Sequence, residues 1–303
     1  MSLTRLLKSA GVCLALVSSV VVAKPSLELP LPPEQLSHPY PSVTVHTLKS
    51  AVELVHVFER QGYQLETVRG KGLLPAVFVE NLPDDLNNLP VEEKTSSFVR
   101  LLLPTITAVN DQILRVRESL VELSRNPKAE WSIQEKAWVE SLMTAYGVTS
   151  GSIRDLLLHL DVIPTGMALA QGIDESGWGT SYFAINGNGL YGEHLPAQGG
   201  KFLTTPGGEV KVAAFDNLFE GTAGYIYNLN TTDAYRNLWE LRRELRERGN
   251  LTGYELVQAL SLYSTRGEAY VDNLRALIRN HRLDSFDHVK LDNDDAKRYR
   301  FEH

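Results

Sequence analysis

The residue whose type and setting most favour chemistry is Glu175. It stands three positions before Trp178, and Gly177 and Gly179 are expected to end a helix directly after it. A carboxylate in the last turn faces the negative end of the helix dipole, and a neighbouring indole removes water. Both effects raise the pKa of a carboxyl, and a general acid needs a raised pKa to keep its proton near neutral pH. Glu175 is therefore predicted to be a general acid, and the alternative is a surface glutamate at a helix end.

A helix is predicted to position this side chain. Pro164 suits a first turn, and the residues from Thr165 to Glu175 are mostly small or apolar. Gln171 lies one turn before Glu175 on the same face of that helix. The two side chains are therefore expected to be neighbours.

The segment Ala170 to Gly192, AQGIDESGWGTSYFAINGNGLYG, resembles the glucosaminidase domain of glycoside hydrolase family 73. Members of that family carry a motif close to AQ..ESGWG.S.FA...NNLFG, with Tyr191 here in place of the last Phe. Downstream, Tyr263-Ser264-Thr265 followed by Tyr270 looks like the family's Tyr-Ala-Thr segment and its following Tyr. The resemblance covers about Ser150 to Leu283, and the weaker similarity upstream, including LLPTITAVND, is to the Bax-type branch.

The resemblance implies an α+β, mainly helical protein. It would contain a lysozyme-like helical glucosaminidase domain with a small lobe opposite Glu175 and a groove for a sugar chain between them. The implied activity is hydrolysis of peptidoglycan glycan strands beside N-acetylglucosamine, as an endo-β-N-acetylglucosaminidase with Glu175 as proton donor. Two rivals stay open: a lytic transglycosylase, which the Gly-Trp-Gly after Ser176 disfavours, and a non-catalytic scaffold that binds cell-wall glycan.

The family often places a second catalytic carboxylate in the small lobe, and this sequence departs from that pattern. Here the corresponding stretch reads KFLTTPGGEVKVAAFD, so Glu209 and the earlier Glu193 are the candidates, and Asp216 stands where Arg is usual. Three mechanisms are compatible with the sequence: a base that activates water, a nucleophilic carboxylate, or attack by the substrate's own acetamido group.

Further site residues follow from the family match. Tyr263 is expected near the cleaved bond, where it would orient water or the acetamido group. Aromatic faces and an amide are expected to bind sugar rings, although Trp178 is equally compatible with a place in the core. The predicted substrate-binding residues are Gln171, Trp178, Tyr182, Asn188 and Tyr191. The lone His194 is weak support for a metal site, so neither a metal nor a cofactor is predicted.

Residues 1 to 23 have the layout of a secretory signal peptide. Arg5 and Lys8 precede an apolar run that is too short to span a bilayer, and Val21-Val22-Ala23 suits cleavage. The sole cysteine, Cys13, leaves with this segment, which excludes disulfide and thiol chemistry from the mature chain. We therefore expect a protein exported to the periplasm or cell envelope, without a stable membrane anchor.

The charge of the chain disfavours nucleic acid as a partner. The signal segment contains two positive charges and no negative one, so its removal changes the formal charge from -7 to -9. Phosphate binding requires a basic surface, which this balance does not provide.

The remaining chain divides into four predicted parts: an extended Pro-rich arm (24–41), an N-terminal α/β and helical region (42–149), the catalytic domain (150–290) and a charged C-terminal tail (291–303). The pattern of the N-terminal region predicts strands at Val43–His46, Gln64–Val68 and Ala76–Glu80, and helices at Leu48–Arg60, Val91–Arg125 and Ser132–Met143.

Overall fold

A computed structural model describes residues 29–30, 40–193, 199–205, 207–208 and 210–302. The predicted signal peptide and almost all of the predicted arm lie outside these residues. His194 and Glu209, one of the two candidates for a second carboxylate, also lie outside them.

The described chain is mainly helical with two small sheets, which confirms the predicted α+β class. The helices are α1 (Ala51–Arg60), α2 (Leu65–Lys71), α3 (Val91–Ser124), α4 (Ile133–Ala145), α5 (Ile153–His159), α6 (Thr165–Ser176), α7 (Tyr182–Gly187), α8 (Leu218–Thr231), α9 (Arg236–Glu247), α10 (Gly253–Leu256) and α11 (Glu268–His281). The strands are β1 (Val45–Leu48), β2 (Leu73–Val79), β3 (Phe202–Thr204), β4 (Lys211–Ala213) and β5 (Lys290–Phe301).

Helix α3 is the central element of the core. Every residue from Ser97 to Asn110 is buried, as expected of a helix that is surrounded by other elements. It packs against strand β2 and against helices α6 and α8, so it links the N-terminal region to the helices that carry the site. Among the described residues, no helix is both long enough and apolar enough to cross a membrane.

The larger sheet contradicts the predicted C-terminal tail. Its strand order is β1-β5-β2 and both pairings are parallel, so the last strand of the chain is the central one. Tyr299 and Phe301 are buried in the core, and Arg298 forms an ion pair with Glu80. The many charged residues of this segment are typical of a solvated tail. In the structure, however, pairing with two distant strands provides hydrogen-bond partners for the backbone on both edges of β5.

One predicted strand is wrong. Gln64–Val68 was expected to be extended, but Gln64 is the N-cap of α2, which ends at the left-handed Gly72 (φ 66°). Only Val68 is buried in this short helix, so its sequence has little apolar periodicity to distinguish it from a strand. The other two predicted strands correspond to β1 and β2, with boundaries displaced by one to three residues.

The small lobe contains an antiparallel hairpin in which β3 pairs with β4, with Phe202 opposite Ala213. Two hydrogen bonds fix its exit to the end of α7. The Phe215 amide donates to the Gly187 carbonyl oxygen at 2.8 Å, and Asn188 Nδ2 donates to the Phe215 carbonyl oxygen at 3.0 Å. The hairpin is thereby held close to the segment that follows Glu175.

Candidate active site

Helix α6 is fixed at its N-terminal end by the carboxylate of Asp287. One oxygen accepts from the Gly166 amide at 2.7 Å and the other from the Gly253 amide at 2.8 Å, so a single side chain caps both α6 and α10. A Cβ atom on Gly166 would lie 2.8 Å from the backbone nitrogen of Asp284. The glycine therefore permits a close contact that sets the position of α6.

The C-terminal end of α6 has the predicted geometry. Gly177 is left-handed (φ 59°), and the Trp178 amide donates to the Ile173 carbonyl oxygen at 3.1 Å. Trp178 is itself left-handed (φ 60°), and its indole packs edge-on against Phe98 and His281, with centroid distances of 6.1 and 4.9 Å. Glu175 thus lies in the last turn, while the indole packs against rings from α3 and α11.

An open cleft of about 730 Å³ lies beside this helix end. Glu175 and Gly192 belong to one part of its lining, and helix α8 forms another wall with Gly224, Tyr227 and Asn228. The lining also includes Glu193, Lys201, Phe215, Thr231, Tyr235, Tyr263 and Ser264. Residues of the helices and of the small lobe therefore line the same cleft, and two of the described lining residues are glutamates.

Burial raises the pKa of Glu175, whose side chain is half-buried. The nearby hydroxyl of Tyr270 opposes this effect, because it favours the ionised carboxylate and so lowers the pKa. The negative charge of Asp174 raises the pKa further, and the nearby guanidinium of Arg266 lowers it. The pKa is thus displaced in the direction predicted from the sequence, although desolvation is the largest cause.

Gly192 gives the Glu175 carboxylate room to reach the cleft. The glycine is left-handed (φ 67°), and a Cβ atom there would lie 3.2 Å from Oε2 of Glu175. A side chain at this position would be strained and would also crowd the carboxylate. The glycine that ends the family motif therefore has a direct geometric relation to the proposed acid.

Glu193 lines the cleft next to Gly192. Burial raises its pKa to about 8, so the carboxyl is mostly protonated at neutral pH. A Cβ atom on Gly224 would lie 3.8 Å from Oε2 of Glu193, which places the carboxyl against the α8 wall. Burial raises the pKa of the nearby Tyr235 phenol, and the charge of ionised Glu193 raises it further.

Tyr263 lines the same cleft as both glutamates. Burial is the main cause that raises the pKa of its phenol, and the negative charges of Glu193 and Glu175 raise it further. Its hydroxyl donates to the Tyr191 carbonyl oxygen at 2.8 Å. Its ring is parallel to that of Tyr270, with centroids 5.7 Å apart. These contacts fix the phenol in the lining of the cleft.

The predicted substrate-binding residues have different locations. Gln171 and Tyr191 are buried beneath the cleft, where the ring of Tyr191 stacks on Tyr225 with centroids 3.8 Å apart. Asn188 is the left-handed C-cap of α7, and Tyr182 is exposed and packs against Phe183. Neither these four residues nor Trp178 belong to the described lining of the cleft.

The sequence reasoning missed the α8 wall. Gly224, Tyr227, Asn228 and Thr231 follow the pattern i, i+3, i+4, i+7 and therefore share one helix face. That spacing was the signal that could have revealed them, but the same face looks like an ordinary half-buried helix stripe. Within the described residues, no group of three or more His, Cys, Asp or Glu side chains is arranged to hold a metal ion.

Comparisons with known proteins identify the family to which this chain belongs. Residues 152–283 match the glucosaminidase family model, described as mannosyl-glycoprotein endo-beta-N-acetylglucosaminidase. Protein bax of Escherichia coli (strain K12) is 32% identical over 211 residues, which cover 67% of this chain and 76% of that protein.

The catalytic domain of the autolysin Auto from Listeria monocytogenes aligns with 56% of this chain and 97% of its own length. The identity is 17% and the TM-score is 0.32. The family match and the similarity to Protein bax agree with the motif that surrounds Glu175. The chain therefore belongs to the glucosaminidase family, glycoside hydrolase family 73, together with Protein bax.

Proposed function

We propose that this protein hydrolyses the glycan of peptidoglycan beside N-acetylglucosamine, with Glu175 as general acid. The observation that carries the proposal is the position of Glu175, whose half-buried carboxyl of raised pKa faces an open cleft at the end of α6. A carboxyl that keeps its proton near neutral pH can deliver it to the leaving glycosidic oxygen. Membership in a family of glycoside hydrolases supports the reaction class.

Glu193 and Tyr263 are the described candidates for the remaining chemistry. A nucleophile or a base must be ionised before the reaction, and burial keeps Glu193 mostly protonated at neutral pH. This favours attack by the acetamido oxygen of the substrate on the anomeric carbon, with Glu175 protonating the leaving oxygen. Glu193 and Tyr263 would then hold the acetamido group, and the Glu175 carboxylate would take a proton from the water that completes hydrolysis.

Peptidoglycan as substrate requires a location in the cell envelope, which agrees with the signal peptide predicted from residues 1 to 23. N-terminal sequencing of protein from the envelope tests this export. A mature chain that begins at Lys24 is the expected result, and a mature chain that retains Met1 would contradict it.

The activity is tested by digesting purified peptidoglycan and identifying the new ends by mass spectrometry. Reducing N-acetylglucosamine ends are the expected product. Anhydro-muramic ends would identify a lytic transglycosylase instead, and no release of fragments would favour a glycan-binding scaffold. Either of those two outcomes would overturn the proposed reaction.

A further inference from the structure

The C-terminal end of α8 and the turn after it contribute four uncharged side chains to the cleft, which we call the α8 corner. Asn228, Thr231 and Thr232 line the cleft at the helix end, and Tyr235 lines it from the turn. None of the four is charged at neutral pH. An aromatic ring beside a few polar groups is the composition of a site for a neutral polar ligand, such as a sugar ring.

Hydrogen bonds to the last carbonyl groups of α8 hold this corner in place. Nε1 of Trp239 donates to the Leu229 carbonyl oxygen at 2.7 Å, and Nδ1 of His159 donates to the next carbonyl oxygen of the helix at 2.9 Å. The Tyr235 amide donates to the Thr232 carbonyl oxygen at 2.9 Å, which closes the turn. The α8 corner is therefore preorganised, so a ligand would lose little affinity to the cost of ordering it.

The side chain of Asn228 is oriented and still has hydrogen-bonding capacity. Oδ1 of Asn228 accepts from the Thr232 hydroxyl at 2.7 Å, which fixes the plane of the amide. An amide has two N–H donors and a second lone pair besides this bond. Asn228 can therefore both donate to and accept from the hydroxyl and acetamido groups of a sugar.

Tyr235 lies next to Tyr263, the tyrosine expected near the cleaved bond. The two ring centroids are 6.0 Å apart, and the ring planes are inclined at 32°. Tyr235 is half-buried, so part of its surface is accessible. The cleft, at about 730 Å³, falls within the range of roughly 300 to 1,000 Å³ that encloses drug-sized ligands, so it has room for more than one sugar ring.

We propose that Tyr235 and Asn228 form a subsite for a sugar ring adjacent to the cleaved bond. Tyr235 contacts the apolar face of that ring, and Asn228 bonds its polar groups. This inference rests on the proposed function, because the ligand is the glycan that Glu175 would cleave. Since the α8 corner is uncharged, its ligand is the neutral sugar chain and not the charged peptides that peptidoglycan carries.

The first test measures binding without turnover, in protein that also carries Glu175→Gln. The ligand is soluble glycan strands from which the peptides have been removed. Tyr235→Ala should weaken the Kd roughly 10-fold, as expected for one lost aromatic contact. Tyr235→Phe should stay within about 2-fold of its parent, because the ring is retained. Asn228→Ala should weaken the Kd roughly 5-fold, as expected for a lost hydrogen bond.

Tyr254→Ala is the matched control for the loss of a tyrosine ring. Tyr254 is also half-buried, its ring centroid lies 5.3 Å from the guanidinium carbon of Arg275, and it is outside the described lining of the cleft. Both alanine variants should lower the Tm, whereas only Tyr235→Ala should change the Kd. If Tyr235→Ala does not fold, Tyr235→Leu keeps apolar volume without a flat ring and should show the same loss of affinity.

The second test uses protein with the native Glu175 and measures hydrolysis of the same strands. Tyr235→Ala should raise KM roughly 10-fold and leave kcat nearly unchanged, because a contact made equally in the ground state and the transition state is lost. A fall in kcat with an unchanged Kd would show instead that Tyr235 acts by holding Tyr263. That result would overturn the subsite.

An unchanged Kd in Tyr235→Ala, or a parent protein that does not bind peptide-free strands, would also overturn the proposal. If Tyr235→Ala weakened binding only to strands that still carry their peptides, the α8 corner would be a peptide site. A wild-type protein that binds the strands but releases nothing from peptidoglycan would refute the proposed function, while the Kd would still test the subsite. Native binding by Tyr235→Ala, in a protein that does hydrolyse peptidoglycan, would refute this inference alone.

Discussion

The two glutamates of the cleft differ in how their surroundings hold them. Glu175 extends from a helix fixed at both ends, and its pKa reflects burial, the nearby hydroxyl of Tyr270 and two neighbouring charges. Glu193 follows Gly192 outside any helix or strand, and among the described residues burial is the sole cause of its raised pKa. Opposing partners allow Glu175 to exist in both protonation states, whereas Glu193 is stabilised only as the neutral acid.

This difference in surroundings distinguishes two possible roles of a glutamate. Residue type alone does not distinguish them. A general acid has to lose and regain its proton in each turnover, so its ionised form needs partners. A group that remains protonated can bind substrate through hydrogen bonds without changing its charge. The comparison therefore supports the proposed roles, which are proton transfer for Glu175 and substrate positioning for Glu193.

The largest effect is expected from Glu175→Gln. The amide keeps the size of the side chain but cannot donate the proton that the leaving oxygen needs, so hydrolysis should fall about 100-fold to 10,000-fold or more. Release of soluble fragments from peptidoglycan measures the rate, and an unchanged Tm and retained glycan binding show that the fold is intact. A variant with a near-native rate would remove Glu175 from the mechanism.

Gly192→Ala should have the next largest effect, because the new Cβ would lie 3.2 Å from Oε2 of Glu175. We expect a fall in kcat of roughly 10-fold to 100-fold, as for a displaced catalytic group. Gly151→Ala is the matched control, since Gly151 has nearly the same φ (66°, against 67°) and no atom within 4 Å of its added Cβ. Both variants should lose similar stability, so equal losses of kcat would show that backbone strain alone is responsible.

Much of the Glu175 side of the cleft could be predicted from the sequence. Pro164, the small residues after it and the pair Gly177 and Gly179 determine the helix locally, and the motif around Glu175 is contiguous. The pKa direction followed from the same segment, because a helix end and burial both act over a few residues. The indole of Trp178 was expected beside Glu175, but its left-handed backbone directs the ring to Phe98 and His281.

The features that could not be predicted from the sequence depend on contacts between distant parts of the chain. Strand β5 is a charged segment that becomes central only when β1 and β2, more than 200 residues earlier, pair with it. Likewise, Gln171 reaches Tyr225 and Tyr270 across 54 and 99 positions. No local spacing encodes such pairings, which arise from the packing of whole helices.

Glu193→Gln should have a smaller effect on rate and a distinct effect on stability. The amide still forms hydrogen bonds, so we expect the rate to stay within roughly 10-fold of wild type. The folded pKa of about 8 is above the unfolded value, so wild-type stability falls as pH rises from about 4.5 to about 8. The variant does not lose stability in this way as pH rises. Its Tm should therefore exceed that of wild type by a few degrees at pH 8 but not at pH 4.

Glu240→Gln, at an exposed position on α9, is the control for loss of one carboxylate from the chain. Glu209→Gln should be assayed beside Glu193→Gln, because Glu209 was the other candidate for a second carboxylate. Full activity in both would support attack by the acetamido group. A loss comparable with that of Glu175→Gln, in either variant, would instead show that a second carboxylate acts directly in the chemistry.

The smallest effects are expected from the two charges beside Glu175, and their signs should be opposite. Arg266 lowers the pKa of Glu175 and Asp174 raises it, and the two side chains also form an ion pair with each other. Activity should fall as pH rises through the pKa of Glu175, since the proton is then lost. Arg266→Gln should therefore move this alkaline limit to higher pH, and Asp174→Asn should move it to lower pH.

Because Arg266 is partly exposed, salt should reduce its effect on the pKa of Glu175, so both shifts should be measured at low ionic strength. A pH-rate profile of kcat/KM for both variants measures them. If both variants moved the alkaline limit in the same direction, a displacement of the loop that carries Tyr263 and Arg266 would explain the shifts. The electrostatic explanation of the Glu175 pKa would then be wrong.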